Sequence, residues 1–100
     1  MQSALNLPEK DVHILQNLLQ KYLAGLTVWA FGSRVTGKAR VDSDLDLVVF
    51  AQAEQSRAVY DFKEACEESA LSCRVDVLIW GNLPLSFHEA IQKNKIILQE

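Results

Sequence analysis

The 100-residue sequence is short of cysteine, of net positive charge and of long apolar runs, and each shortage removes a class of function. Its two cysteines, Cys66 and Cys73, show neither metal-ligand spacing nor a CxxC pattern. They read as reduced, partly buried thiols rather than a disulfide or zinc framework. No apolar run approaches the roughly 20 residues of a membrane span, and the N-terminus lacks the basic-then-apolar pattern of a secretory signal. The expected location is therefore the cytoplasm. With a net charge of −3 the chain offers no global field for nucleic acid. Repeats, low-complexity segments and linkers are also lacking.

What is present is an ordinary globular balance, 49% hydrophobic and 23% charged, in a length that suits one domain over residues 1–100. Asn6 to Ala24 predicts a first helix. Pro8 suits its first turn, Glu9 and Asp11 lie near the positive end of its dipole, and Val12, Leu15, Leu19 and Tyr22 form the apolar stripe. His13 falls beside that stripe and reads as a surface residue. Thr27–Phe31 predicts a strand, with a short helix opening near Ser33, and Leu45–Phe50 predicts a second strand. A helix capped by Ser56 runs to about Ala70, burying Ala58, Val59, Phe62, Ala65 and Cys66. Arg74–Trp80 predicts a third strand. Ser86-x-x-Glu89 reads as a capping box for a last helix with Phe87, Ala90 and Ile91 inward, and His88 as solvent-facing. Ile96–Leu98 closes the chain as a short apolar tail at the edge of a sheet. Strands alternating with helices argue a sheet backed by helices.

One stretch concentrates the chemistry, Phe31 to Phe50, FGSRVTGKARVDSDLDLVVF. A β-rich run breaks at Gly32-Ser33, where glycine permits backbone angles that other residues resist. Three of the ten basic residues, Arg34, Lys38 and Arg40, follow within seven positions. That local excess suits a triphosphate better than a long polyanion, although a solvated loop would show it too. The chain then returns to apolar alternation carrying Asp44 and Asp46. Two carboxylates at i and i+2 of a strand share a face about 7 Å apart, with Leu45, Leu47 and Val49 on the other face. Such a pair repels itself unless a cation intervenes. A third acid, Asp76, sits in the apolar strand RVDVLIW, on the face of Leu78 and Trp80, where Arg74 is an alternative partner for it. Hard oxygen donors without a His or Cys cluster favour Mg²⁺ over Zn²⁺.

Gly-Ser after a strand, an Asp-x-Asp pair after a ten-residue gap and a third acid on a later strand together resemble the signature of the DNA polymerase beta nucleotidyltransferase superfamily. The wording of the stretch is most similar to its minimal, MNT-type members, often encoded beside a helical HEPN protein. The resemblance spans about Thr27 to Trp80 and implies an α+β fold with a small mixed sheet, the polymerase beta palm. It implies Asp44, Asp46 and Asp76 as a metal-binding triad for two Mg²⁺ ions, with Mn²⁺ as a possible substitute. It implies that ATP is the substrate, with Gly32 and Ser33 on its triphosphate and Arg34 or Lys38 adding contacts. No segment remains for a separate domain that grips the nucleobase or presents an acceptor. The family therefore implies a partner: AMP transfer to a tyrosine of a HEPN toxin, with this chain as antitoxin. Two readings stand beside that one: transfer to a small hydroxyl-bearing molecule, and a non-catalytic module that only binds nucleotide or partner.

Overall fold

The structure, a computed structural model, describes residues 5–40 and 42–100. The chain runs α1 (Glu9–Tyr22), β1 (Val28–Phe31), α2 (Ser33–Thr36), β2 (Leu45–Val49), α3 (Ser56–Glu67), β3 (Val75–Ile79), α4 (Leu85–Lys93) and β4 (Ile96–Gln99). Short 3-10 turns at Ala53–Gln55 and Trp80–Asn82 precede α3 and follow β3. The strands form one sheet in the order β3-β2-β1-β4. β1 pairs antiparallel with β2 and β4, and β2 runs parallel to β3. The fold is thus the α+β arrangement with a small mixed sheet, and the apolar tail is an edge strand.

Strand alternation divides the molecule. Val28, Ala30, Leu45, Leu47, Val49, Val75 and Val77 point to one face and are buried. They pack with Leu15, Leu19 and Leu23 from α1 and its exit, and with Val59, Phe62 and Cys66 from α3. Burial pushes the Cys66 thiol up to about 12, which leaves it an inert core residue. The opposite face carries Trp29, Phe31, Asp46, Val48, Phe50, Asp76, Leu78 and Trp80. Here α4 supplies partial cover, and Ile91 and Val48 are buried outside the main core.

Several boundaries differ from the sequence reading. The first helix starts at Glu9, with Pro8 in the capping position and extended, and its Asp11, in the first turn as expected, is fully buried. Ser72 Oγ donates to Asp11, and Lys10 Nζ reaches both Asp11 (3.1 Å) and the carbonyl of Ala70 (3.0 Å). α1 is thereby stapled to the loop that leads into β3. The third helix ends at Glu67, and its entry is organised by a reciprocal Gln52–Gln55 capping box rather than by the Ser56 side chain. Ser86 does not cap α4. Pro84, extended at ψ 161°, takes that position, so Ser86 already lies inside the helix.

Phe87 and Ala90 are exposed, because α4 turns only Ile91 fully inward. His88 is half-buried instead of solvent-facing. Its ring stacks on Trp80 with 3.8 Å between centroids, and Nε2 lies 2.8 Å from the Trp80 carbonyl oxygen. Trp80 in turn stacks on Phe50, and Trp29 meets both rings edge-on. His13, by contrast, is exposed as expected.

Candidate active site

The register lays a row of side chains across three strands. Phe31 of β1 faces Asp46 of β2, and Asp46 faces Asp76 of the parallel β3. In-register neighbours share a face, so the two carboxylates project side by side. Asp44 stands two residues before Asp46, where the loop enters β2. Asp44 and Asp76 are exposed and Asp46 is half-buried.

Burial raises the Asp46 carboxyl above its ordinary value, and the charges of Asp76 and Asp44 raise it further. No cation among the described residues offsets this. Among the described residues neither Asp44, Asp46 nor Asp76 makes an ion pair, so the alternative pairing of Asp76 with Arg74 does not occur.

Gly32 fits against this row in a way no other residue could. Its φ of +84° with ψ of −157° belongs to a region that is essentially glycine-only. A Cβ there would also run into Oδ2 of Asp46. The glycine therefore serves two needs: it permits the turn and makes room for the carboxylate. α2 opens immediately after it, with the Val35 and Thr36 N–H groups donating to the Gly32 carbonyl, and ends at Gly37 in the left-handed conformation. Ser33 begins this helical turn directly after the glycine that packs on Asp46, and Lys38 is exposed just beyond it.

Arg34 departs from its expected use as a phosphate contact. Only 5% of it is exposed. Its guanidinium donates to the carbonyls of Asn6 (2.7 Å), Arg40 (3.3 Å) and Ser43 (2.8 Å from Nη2, 3.1 Å from Nε). The five-donor fork is well suited to gathering carbonyls. It fixes the segment that delivers Asp44, and Asn6 N–H returns a bond to the Arg34 carbonyl. Arg40 is exposed, its own N–H bonded to Ser43 Oγ. Position within a basic cluster gave no hint of this inward role. The same is true of Asp11 and Ser72, which meet across 61 positions.

The donor set of Asp44, Asp46 and Asp76 is all hard oxygen, the chemistry that suits Mg²⁺ or Mn²⁺. As they stand, the carboxylates are spread: among the described residues no three His, Cys, Asp or Glu groups are close enough to hold an ion. The exposed Asp44 and Asp76 have room to turn inward.

Acids in register on two parallel strands, with a Gly-Ser turn packed against one of them, define a nucleotidyltransferase palm. The chain belongs to the polymerase beta nucleotidyltransferase family, whose model matches residues 13–100. It is 40% identical over 97 residues to the probable protein adenylyltransferase MntA of Haemophilus influenzae, covering 96% of this chain and 85% of that relative.

Among solved structures, a toxin–antitoxin complex with AMP-PNP superposes with a TM-score of 0.66 at 20% identity, over 91% of this chain and 73% of that one. A mutant of the MntA–HpeT toxin–antitoxin complex gives a TM-score of 0.66 at 17% identity, over 87% and 71%. At such identities the likeness is one of fold. The enzyme class, nucleotidyltransferase, follows from the family and the relative together.

Proposed function

We propose that the chain transfers AMP from ATP to a hydroxyl of a partner protein, a tyrosine of a helical HEPN-type toxin, and so acts in the cytoplasm as the antitoxin of a two-component system. The observation that carries the catalytic part is the unneutralised pair Asp46–Asp76, held in register with Gly32 packed on Asp46. The likeness to a probable protein adenylyltransferase, and to the fold found in toxin–antitoxin complexes, supports the choice of acceptor.

In this reading Asp44 and Asp46 would hold the metal ions and Asp76 would complete the set. Two divalent ions, Mg²⁺ in the cell, would neutralise charge on the attacking and leaving oxygens. The Gly32-Ser33 turn lets the backbone approach the triphosphate, Ser33 Oγ hydrogen-bonds its terminal phosphates, and the exposed Lys38 lends charge. Asp76 accepts the hydrogen bond of the acceptor hydroxyl and draws off its proton. The acceptor oxygen then bonds to the α-phosphorus as the bond to the β-phosphate oxygen breaks, releasing pyrophosphate. Arg34 positions Asp44 through the carbonyls it gathers.

Two measurements test this. With α-labelled ATP, Mg²⁺ and the protein encoded beside it, label should appear on that protein and vanish with Asp44→Asn. Label on a small molecule instead would move the acceptor. In a thermal-shift titration, Mg²⁺ with AMP-PNP should stabilise the wild type by about 2.7 kcal/mol at a hundredfold excess over Kd. Asp76→Asn should blunt the response. A flat wild-type response would sink the catalytic reading.

A further inference from the structure

Gly32 stands between two environments. One is the carboxylate of Asp46, which a Cβ at Gly32 would strike. The other is a groove of about 420 Å³ between the Gly32 turn and α4, lined by Phe31, Phe87 and Ile91 with Ser86 and Asn94 also contributing. We propose that this groove holds the adenine of the nucleotide, with Phe87 as its stacking surface and Asn94 as the side chain that reads the base edge. The inference rests on the proposed nucleotidyl transfer and names the part of the substrate that transfer leaves unplaced.

Position argues first. The α-phosphorus has to lie over Asp46 and Asp76, so the base, one ribose away, falls in a cavity adjoining those carboxylates. Two cavities do so. The one at the β3 edge, about 450 Å³, mixes five charged residues, Asp44, Lys63, Glu67, Arg74 and Asp76, with uncharged ones such as Leu71 and Cys73, so a flat aromatic base there would displace water from ions. The α4 groove is mainly apolar with a few polar groups, the usual composition of a small-molecule site, and its volume falls within the usual range of roughly 300–1,000 Å³. The charged cleft is left for a polar acceptor.

Unused aromatic surface argues second. Trp29, Phe50, Trp80 and His88 are engaged in ring contacts on the same face of the sheet. Phe31 and Phe87, among the described residues, make none, and Phe87 is 45% exposed. A base between α4 and the Gly32 turn would cover that ring, and stacking on it needs no change of fold. The Asn94 amide both donates and accepts, the pattern that pairs with the N6 amino group and N7 of adenine. The face of α4 from Ser86 to Asn94, turned toward the Gly32 turn, would supply the grip on the base.

The test is calorimetric titration, with Mg²⁺, of AMP-PNP, GMP-PNP and inorganic tripolyphosphate into wild type, Phe87→Ala and Asn94→Ala. Phe87 is exposed enough for its variant to fold, which an unchanged melting temperature verifies. Wild type should bind AMP-PNP at least tenfold more tightly than tripolyphosphate. Phe87→Ala should lose roughly tenfold in AMP-PNP affinity and nothing for tripolyphosphate. Asn94→Ala should reduce the preference for AMP-PNP over GMP-PNP. Equal wild-type affinity for AMP-PNP and tripolyphosphate, or a Phe87→Ala variant that binds AMP-PNP like wild type, overturns the groove assignment. An unchanged AMP-PNP preference in Asn94→Ala overturns the role of Asn94. If wild type binds none of the three, the nucleotidyl-transfer reading itself fails.

Discussion

Asp11, on the helical side of the sheet, and Asp46, on the side that carries the row of acids, are two carboxylates treated in opposite ways. Asp11 is completely inaccessible, and burial alone would raise its pKa; hydrogen bonds from Ser72 and the nearby Lys10 outweigh burial and hold it below the ordinary value. Asp46 is the more accessible of the two, yet its pKa is raised by burial and by two further acids. Depth therefore does not decide which charge is uncomfortable; partners do. Where the fold needs a carboxylate it supplies donors. Where it leaves one unsupplied, on the same face as the Gly-Ser turn, the proposed function gives that charge a divalent cation as its partner.

The largest effect that contrast predicts is on turnover. Asp46→Asn keeps the volume and removes the charge, so transfer should fall by roughly 10³-fold or more, while melting temperature stays level or rises slightly as repulsion with Asp76 and Asp44 is eased. Label transfer and a thermal melt on the same preparation check both halves. A variant that keeps wild-type turnover would end the comparison, since Asp46 would then be merely a tolerated surface acid.

Asp11→Ala should do the reverse. Its removal strands Ser72 and releases the loop from α1, for a loss of about 2 kcal/mol, or roughly 8–16 °C in melting temperature for a domain this small. Turnover per folded molecule should hold, since Asp11 touches none of the three acids. Arg34→Lys should fall between the two. A lysine cannot span three carbonyls as a guanidinium does, so stability should drop by about 1–2 kcal/mol. Turnover should drop with it, because the Arg40–Ser43 segment delivers Asp44. Denaturant melts and label transfer distinguish this from a phosphate-binding role, in which nucleotide affinity alone would suffer.

Much of this was legible in the chain itself. Asp46 comes to lie on the face of Asp76, with Gly32 packed against it, because strand alternation is a local rule. Register then needed only the parallel pairing of β2 with β3 to put Asp46 opposite Asp76. What was not legible depended on contacts between distant positions. Asp11 reads as a helix-dipole acid until Ser72, 61 residues away, turns out to meet it. Arg34 reads as a loop cation until three carbonyls close around it, and His88 as a surface residue until Trp80 lies flat beneath it. The Ser86 capping box failed for a local reason: Pro84, already extended, claims the helix start before Ser86 can.

The smallest effect tests the contrast most directly, because the two acids should give pH dependences of opposite sign. The folded pKa of Asp11 is depressed below the 3.8 of the free side chain. Its contribution to stability is therefore present above about pH 3.8 and is lost as pH falls through the folded value. That of Asp46 is raised above 3.8. Its protonated form is the one the fold prefers, so its contribution is full below about pH 3.8 and is lost as pH rises through the folded value. Denaturant melts of wild type, Asp11→Asn and Asp46→Asn, taken in steps from acid to neutral pH with EDTA present, isolate the two terms. The stability deficit of Asp11→Asn relative to wild type should shrink as pH drops below 3.8. Asp46→Asn should gain on wild type as pH climbs above it, because only the wild type acquires the unneutralised charge. Added Mg²⁺ should reduce that gain at neutral pH and leave Asp11→Asn unaffected. Two curves of the same sign would mean that Asp46 has a cationic partner in solution and that the row of acids is already satisfied without metal.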